Sequence, residues 1–356
     1  MAKDDTVLVW ANKMRILVTG GCGFIGSNFI KYFNKKHPHY KVLNIDKLTY
    51  AGNLENLKGL EKKGNYKFTK MDISNASAMR KIFDRFQPDA VINFAAETHV
   101  DRSILSPAPF IKTNIIGVSV LLNLALKYKV KKFLQISTDE VYGSILCGRF
   151  REDSPLDPSS PYAASKTAAD ALVISYYKTH KLPIIITRSS NNYGPYQFPE
   201  KLIPLTIMNA LNNRKVPVYG DGMNIRDWLY VEDNCHAIDA VFHDGEVGEV
   251  YNIGGENELS NIYVVKIILR LLSKNEKLIT YVQDRPGHDR RYSLSLGKIR
   301  RHINWHPSIS FETGLKRTIE WYKKNIKWVK SAQSGEYREF YTKYYSKLGL
   351  VDVTQP

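Results

Sequence analysis

Asp139 and Glu140 stand side by side in Ile136-Ser-Thr-Asp-Glu-Val-Tyr-Gly143, directly behind an apolar run with strand character. Two carboxyls at one point can divide a reaction, one giving a proton while the other takes one, provided that their proton affinities differ. Neighbouring side chains on a regular strand face opposite ways, so both can serve one ligand only if the strand ends here and the backbone turns. Tyr162 and Lys166 follow one helical turn apart in Ser159-Ser-Pro-Tyr-Ala-Ala-Ser-Lys166. An ammonium beside a phenol favours phenolate, a base suited to removing a hydroxyl proton as hydride leaves carbon. The Tyr-x-x-x-Lys spacing occurs five times, at Tyr32, Tyr66, Tyr128, Tyr162 and Tyr177. Only Tyr162 lies just beyond the acidic peptide and among small residues, Ala163, Ala164 and Ser165, that let a flat ring approach. Thr138 adds a hydroxyl that can donate to a substrate oxygen held beside the phenol.

A redox reading needs a hydride carrier, and the N-terminal part of the chain offers a place for one. Thr19-Gly-Gly-Cys-Gly-Phe-Ile-Gly26 follows the first strand-like run and opens a helical pattern, with Gly20, Gly23 and Gly26 at three-residue spacing around Phe24 and Ile25. Such glycines permit a tight turn, close approach of backbone to a pyrophosphate and close helix packing, while helix N-terminal amides face the anion. Asp46 ends the second strand twenty residues after Gly26, where a carboxylate can accept both ribose hydroxyls and would repel an extra phosphate. NAD is therefore the expected cofactor. Lys47, Leu48 and Thr49 are placed to line the adenosine edge, as are Asp72 and Ile73 after the third strand.

These groups need a scaffold. Short β-branched runs at Arg15 to Val18, Val42 to Ile45, Tyr66 to Met71, Ala90 to Phe94, Lys132 to Ile136 and Ile184 to Thr187 alternate with helical patterns. Alternation of this kind is the mark of an α/β, doubly wound, Rossmann-type parallel sheet. Beyond Arg188 the alternation stops and Asn, Gly and Pro cluster, which indicates a smaller, discontinuous substrate-binding lobe. The expected division is an extension at 1–13, an NAD-binding domain at 14–188 rejoined by about 229–255, a substrate lobe at 189–228 and 256–328, and a helical tail at 329–356. Val250 to Ile253 is the strand expected to return to the sheet.

At 356 residues and 43% hydrophobic content the chain can bury a large core. No uninterrupted apolar run approaches the ~20 residues that span a bilayer, and the first residues lack a secretory pattern, so a cytoplasmic protein is expected. The net charge of +16 favours anionic partners, but the basic residues are scattered, which fits an anionic small substrate better than nucleic acid. Cys22, Cys147 and Cys235 are few and far apart, and the nine histidines show no metal-ligand spacing, so free thiols and no metal are expected.

The chain resembles the extended short-chain dehydrogenase/reductases and, more narrowly, the dTDP-glucose 4,6-dehydratases, from about Met14 to about Trp328. The likeness rests on the glycine loop, the Thr-Asp-Glu peptide and further ordered peptides: Asp46-Lys-Leu-Thr-Tyr-Ala-Gly-Asn53, Phe94-Ala-Ala-Glu-Thr-His-Val-Asp-Arg-Ser103, Arg188-Ser-Ser-Asn-Asn-Tyr-Gly-Pro-Tyr196, Phe198-Pro-Glu-Lys-Leu-Ile-Pro204, Arg226-Asp-Trp-Leu-Tyr-Val231 and Asp284-Arg-Pro-Gly-His-Asp289. It implies Asp139 as general acid and Glu140 as general base, with Thr138, Tyr162 and Lys166 completing the centre. It also implies NAD contacts from Phe94, Ala95, Ala96, Thr98, Thr113 and Asn192. Nucleotide-sugar contacts are implied for Thr98, Thr138, Asn191, Lys201, Leu202, Pro217, Val218, Tyr219, Arg226, Asn261, Asp284, Arg285, Pro286, Gly287 and His288. Lys201, Arg226 and Arg285 suit a pyrophosphate, and Tyr219 offers an aromatic face to a base.

The implied reaction is oxidation of a hexose at C4, loss of water across C5 and C6, and return of hydride to C6, carried out by a homodimer. One departure is that only eighteen residues separate Gly143 from Tyr162, a short connection for such a protein. A nucleotide-sugar 4-epimerase or decarboxylase would share the glycine loop, Tyr162 and Lys166 without the Asp-Glu pair. A non-catalytic NAD-binding protein would have no need of the five reactive side chains.

Overall fold

The computed structural model describes residues 14–333; the expected N-terminal extension and most of the expected helical tail lie outside them. Seven parallel strands make the main sheet: β1 (Arg15–Thr19), β2 (Lys41–Asp46), β3 (Tyr66–Lys70), β4 (Ala90–Asn93), β5 (Lys132–Thr138), β6 (Ile184–Ser189) and, from much later in the chain, β10 (Val250–Ile253). Their spatial order is β10-β6-β5-β4-β1-β2-β3. All six runs expected from the sequence are strands of this sheet. The order in which strands are added reverses between β1 and β4, and a crevice opens at the carboxyl ends of the strands there, the usual ligand position in such folds.

Runs rich in Val, Ile and Leu make the central strands because both sheet faces are covered, whereas the edge strand β3, Tyr-Lys-Phe-Thr-Lys, is only partly buried. Ile16 and Val18 of β1 point to one core and Leu17 to the other; Ala90 and Ile92 of β4 join the first, Val91 the second. On the first face lie the helices Phe24–Lys36 and Val231–Asp244, and on the second Ala76–Phe86, Val118–Lys127 and Pro161–His180. The segment Ala108–Lys127 is helical throughout, long and apolar enough by length and composition to cross a membrane. Lys112, Asn114 and Asn123 interrupt its apolar run, which is why no continuous stretch marks it in the sequence. Val118, Leu121, Leu122 and Ala125 of this helix are buried in the second core.

The remaining strands are β7 (Asn191–Tyr193), β8 (Val216–Tyr219), β9 (Ile225–Tyr230), β11 (Glu258–Ser260) and β12 (Ile279–Val282). They form a three-stranded sheet, β11-β9-β7, and a parallel pair, β12-β8. Tyr193, Trp228, Phe311, Leu315 and Tyr322 build a separate apolar core there with the helices Leu202–Leu211, Asn261–Leu271 and Phe311–Lys324. The short connection after Gly143 runs alongside residues 290–295, with Phe150 N donating to Ser293 O at 2.9 Å and Ser295 N to Phe150 O at 2.8 Å.

Candidate active site

β5 ends at Thr138, and Asp139–Tyr142 form a single 3₁₀ turn capped by Thr138, whose Oγ1 accepts from Glu140 N at 3.3 Å. That turn replaces strand alternation and puts both carboxylates on the wall of one cleft. Asp139 is only 2% exposed. Burial, and then the adjacent Glu140, push its carboxyl well above the ordinary range. Burial raises Glu140 as well, but Arg285, Lys201 and Arg226 oppose it. Both carboxyls are pushed up by burial, Asp139 the further because Glu140 adds to it, while three cations oppose the rise at Glu140.

Tyr162 and Lys166 open the helix Pro161–His180, started by Pro161 and capped by Ser160, whose Oγ accepts from Ala163 N at 3.1 Å. Both line the same cleft, but their coupling differs from the sequence expectation. Lys166 Nζ donates to Ile136 O at 2.7 Å, and the phenol is not lowered. Burial first and Glu140 second raise Tyr162, against hydrogen bonding to Thr138. The physical reason is that a buried ammonium without a closer partner takes the strand carbonyl, and burial, opposed by Asp170, brings Lys166 down to about 8.

The glycine loop can be tested against a dinucleotide. Gly20 has φ of +70°, and a Cβ there would lie 2.4 Å from Ala95 N. At Gly26 a Cβ would lie 2.4 Å from Gly20 O, so the helix start must be bare to sit on the loop. Gly23 is different: a Cβ there would meet nothing closer than Gly20 O at 3.4 Å. The fold does not demand that glycine, and the open space above it fits a pyrophosphate. Asp46 is held with Oδ2 accepting from Cys22 N and Oδ1 from Leu48 N, both at 2.8 Å, and burial raises its proton affinity against these bonds. Ser137 Oγ, Asn191 Oδ1 and Asn192 Oδ1 are buried in residues lining the cleft without a partner among the described residues, as acceptors or donors for a polar ligand.

The cleft brings together Gly20, Gly23, Phe24, Ile25, Gly26, Asp46, Lys47, Thr49, Asp72, Ile73, Phe94, Ala95, Ala96, Thr98, Thr113, Asn191, Asn192 and Lys201 with the five reactive residues. Lys47 Nζ lies 3.0 Å from Asp72 Oδ2. Leu48 is not in the lining; it packs against the core beneath the sheet and gives its amide to Asp46.

The second-lobe residues need more distinction. Tyr219 Oη and Arg285 Nη1 both reach Asp101, at 3.4 Å each, joining that lobe to the helix Val100–Leu105. Arg226 donates to Asp289 O at 2.9 Å and lies 4.3 Å from the Tyr292 ring centre. His288 sits 2.6 Å from Asp284 Oδ1, and burial with Arg285 holds it down to about 4. Asn261 Oδ1 has no partner among the described residues. The Val218 side chain, in contrast, is 1% exposed in a small core with Val216, Ala210 and Ile262. Alternation along β8 turns it inward, so only its backbone can face a ligand. Leu202, Pro217, Val218, Tyr219, Arg226, Asn261, Asp284, Arg285, Pro286, Gly287 and His288 all stand outside the cleft lining, which holds only Asn191, Asn192 and Lys201 of the expected set from that lobe.

Sequence reasoning missed three groups. Asn114 sits in a π-helical turn, Ile111–Gly117. Its amide accepts from Glu97 N at 2.9 Å and donates to Ser165 Oγ at 2.8 Å, tying the β4 loop to the Tyr162 helix. Glu200 lies in the cleft wall 3.3 Å from His99 and accepts from Tyr50 Oη at 3.1 Å. Asp170, one turn beyond Lys166, makes a wholly buried pair with Arg188 at 2.9 Å. Asn114 and Asp170 follow from their spacing to Glu97 and Lys166 only once the topology is known.

Residues 17–318 match the family model described as GDP-mannose 4,6 dehydratase. A curated relative, the dTDP-glucose 4,6-dehydratase of Salmonella typhimurium, is 48% identical over 93% of this chain and 99% of its own length. Among solved structures, the dTDP-glucose 4,6-dehydratase from Bacillus anthracis in complex with NAD is 51% identical, with a TM-score of 0.84, covering 90% of this chain and 99% of that one. The UDP-glucose 4-epimerase of Thermotoga maritima with UDP-glucose has a similar shape, with a TM-score of 0.82 over 88% of this chain and 100% of that one, but only 32% identity.

Proposed function

The chain belongs to the dTDP-glucose 4,6-dehydratases, within the wider GDP-mannose 4,6 dehydratase family, and on that premise we propose which of its residues carry each step. The reaction is NAD-dependent conversion of dTDP-glucose to dTDP-4-keto-6-deoxyglucose by C4 oxidation, water elimination across C5 and C6, and C6 reduction. The glycine loop with Asp46 would hold NAD, whose nicotinamide would supply the acceptor for the C4 hydride and its later donor at C6, C5 then regaining a proton.

Tyr162 would take the C4 hydroxyl proton as phenolate, a form its buried setting disfavours and that the positive nicotinamide of bound NAD together with the Lys166 ammonium would favour, with Thr138 holding that oxygen in line. The 4-ketone acidifies the C5 hydrogen. Glu140, whose carboxylate Arg285, Lys201 and Arg226 favour against burial, removes it, while Asp139, whose carboxyl burial and Glu140 push up, gives its proton to the departing C6 oxygen. Lys201, Arg226 and Arg285 hold the diphosphate, and Tyr219 faces the base. The seating of both carboxyls on one cleft wall with Tyr162, Glu140 facing three cations and Asp139 the more deeply raised, carries this assignment. Incubating the chain with NAD and dTDP-, UDP- or CDP-glucose tests it: a product lighter by one water is expected, with dTDP-glucose preferred. A C4 epimer of unchanged mass would favour the epimerase reading instead.

We propose further that the protein is a cytoplasmic homodimer that engages neither nucleic acid nor membrane. Leu105, Ile111 and Ile116 are 67%, 48% and 49% exposed along one segment, an apolar face that a second copy could cover. A mass in solution of one chain would overturn the dimer.

A further inference from the structure

Away from the cleft, His37, Asp239 and His243 converge although 202 residues separate the first two. Asp239 and His243 lie one turn apart on the helix Val231–Asp244, so both project from one face. His37 caps the C-terminal end of the helix Phe24–Lys36, which lies beside it on the same face of the main sheet. Asp239 Oδ1 is 2.9 Å from His37 Nε2 and 3.1 Å from His243 Nδ1. One ligand atom from each of the three lies within 4.8 Å of the other two. A tetrahedral ion bound at roughly 2.0–2.2 Å separates neighbouring ligand atoms by about 3.4 Å, so small rotations of the side chains suffice.

The surroundings are those of a held ligand set. Asp239 is almost fully buried, and its second oxygen is occupied by Lys36 Nζ at 2.7 Å and Tyr32 Oη at 3.2 Å, which fixes Oδ1 toward the imidazoles. His243 Nδ1–H donates to Asp239 O at 2.9 Å, which leaves Nε2, 3.2 Å from Tyr40 Oη, as the nitrogen whose lone pair can take an ion. Hydrogen bonds of this kind orient metal-binding side chains in general. The two imidazoles keep 20% and 29% of their side-chain surface, so an ion can enter from solvent.

We propose that His37, Asp239 and His243 form a site for one zinc ion that clamps the helix Phe24–Lys36 to the helix Val231–Asp244. Two imidazoles and one carboxylate suit zinc, and water would complete its tetrahedron. The Lys36 ammonium opposes a second cation nearby, so the affinity should fall below that of a fully enclosed structural site. The spacing is invisible in the sequence because only Asp239 and His243 are close in it.

The test uses the full chain without a purification tag, stripped with chelator and titrated with zinc chloride by calorimetry at about pH 7.5, above the imidazole range. One zinc per chain is expected, with Kd of about 10 μM or tighter. His37→Ala and His243→Ala should each weaken it at least tenfold, as ligand loss does. Melting should rise with zinc for the parent chain and stay fixed for both variants. Because His99 and His288 also exist near the cleft, His99→Ala serves as control and should bind zinc as the parent does. Failure to bind at one per chain, or binding unaffected by His37→Ala and His243→Ala, would overturn the proposal.

Discussion

Glu200, in the cleft wall, and His99 face each other across 3.3 Å, and the setting of each favours its neutral form. Burial raises Glu200 to about 7, against the pull of Lys201 and Arg102, while burial and the same two cations keep His99 well below its usual range. A carboxyl with a raised folded-state value binds its proton more tightly when folded. Its contribution to stability is therefore full below about pH 4.3, the unfolded value, and is lost as pH rises toward 7. We expect Glu200→Gln to remove that slope, worth about 4 kcal/mol across the window, so that the variant gains relative to the parent as pH rises. Urea unfolding of both at acidic and neutral pH checks this. A stability difference independent of pH would show that Glu200 is not the titrating group.

Asp139 and Glu140 should be separable by isotope exchange. Gln at 140 cannot take the C5 proton, so Glu140→Gln is expected to reduce bound NAD with substrate yet form product about 10²- to 10⁴-fold more slowly, without exchanging C5 hydrogen for solvent deuterium. Asn at 139 matches the shape of the protonated acid already favoured there, so Asp139→Asn should fold normally and exchange C5 while losing water slowly. Equal exchange in both variants would contradict the division of roles.

The two glycines at 23 and 26 make opposite demands. Gly23→Ala places a methyl where the nearest protein atom is 3.4 Å away, so its melting temperature should match the parent while its NAD affinity falls at least tenfold. Gly26→Ala pushes a methyl to 2.4 Å from Gly20 O, and a loss of about 1–3 kcal/mol is expected whether or not NAD is added. Fluorescence titration of NAD together with thermal melts distinguishes the two. Equal destabilisation would mean that Gly23 is a folding requirement.

What is legible in the sequence depends on range along the chain. The early strands other than β3 can be read because both-face burial writes itself into runs of Val, Ile and Leu, β3 can be read by its alternating aromatic and polar residues, and the phosphate loop can be read because its glycines are local. Asp139 and Glu140 are legible as a pair, but their shared direction depends on a capped 3₁₀ turn that Thr138 supplies. Contacts such as Glu200 with Tyr50, or His37 with Asp239, join residues 150 and 202 positions apart and leave no local pattern. Val218 departs from the expected ligand-facing set because alternation on a short strand decides its direction, and a register of one residue reverses it. Helical spacing makes Lys166 a partner of Tyr162, yet the strand carbonyl of Ile136 is what its ammonium meets.

Asp170 connects the stability of this core to the chemistry above it. Its Oδ2 accepts from Arg188 Nε at 2.9 Å, and Arg188 Nη1 donates to Tyr142 Oη at 2.9 Å, all without solvent. Asp170→Asn leaves a buried guanidinium without its counter-charge, and a loss of about 3–5 kcal/mol is expected in urea unfolding with little change in m. The same carboxylate opposes the burial that brings Lys166 down to about 8. With it gone, Lys166 should release its proton at lower pH, moving the alkaline limb of kcat/KM toward neutrality when activity is measured at a temperature where the variant stays folded. Asp170→Glu should return that limb toward its parent position by restoring the charge. A variant that is destabilised but keeps the parent's pH profile would make Asp170 a packing element alone, without electrostatic influence on Lys166.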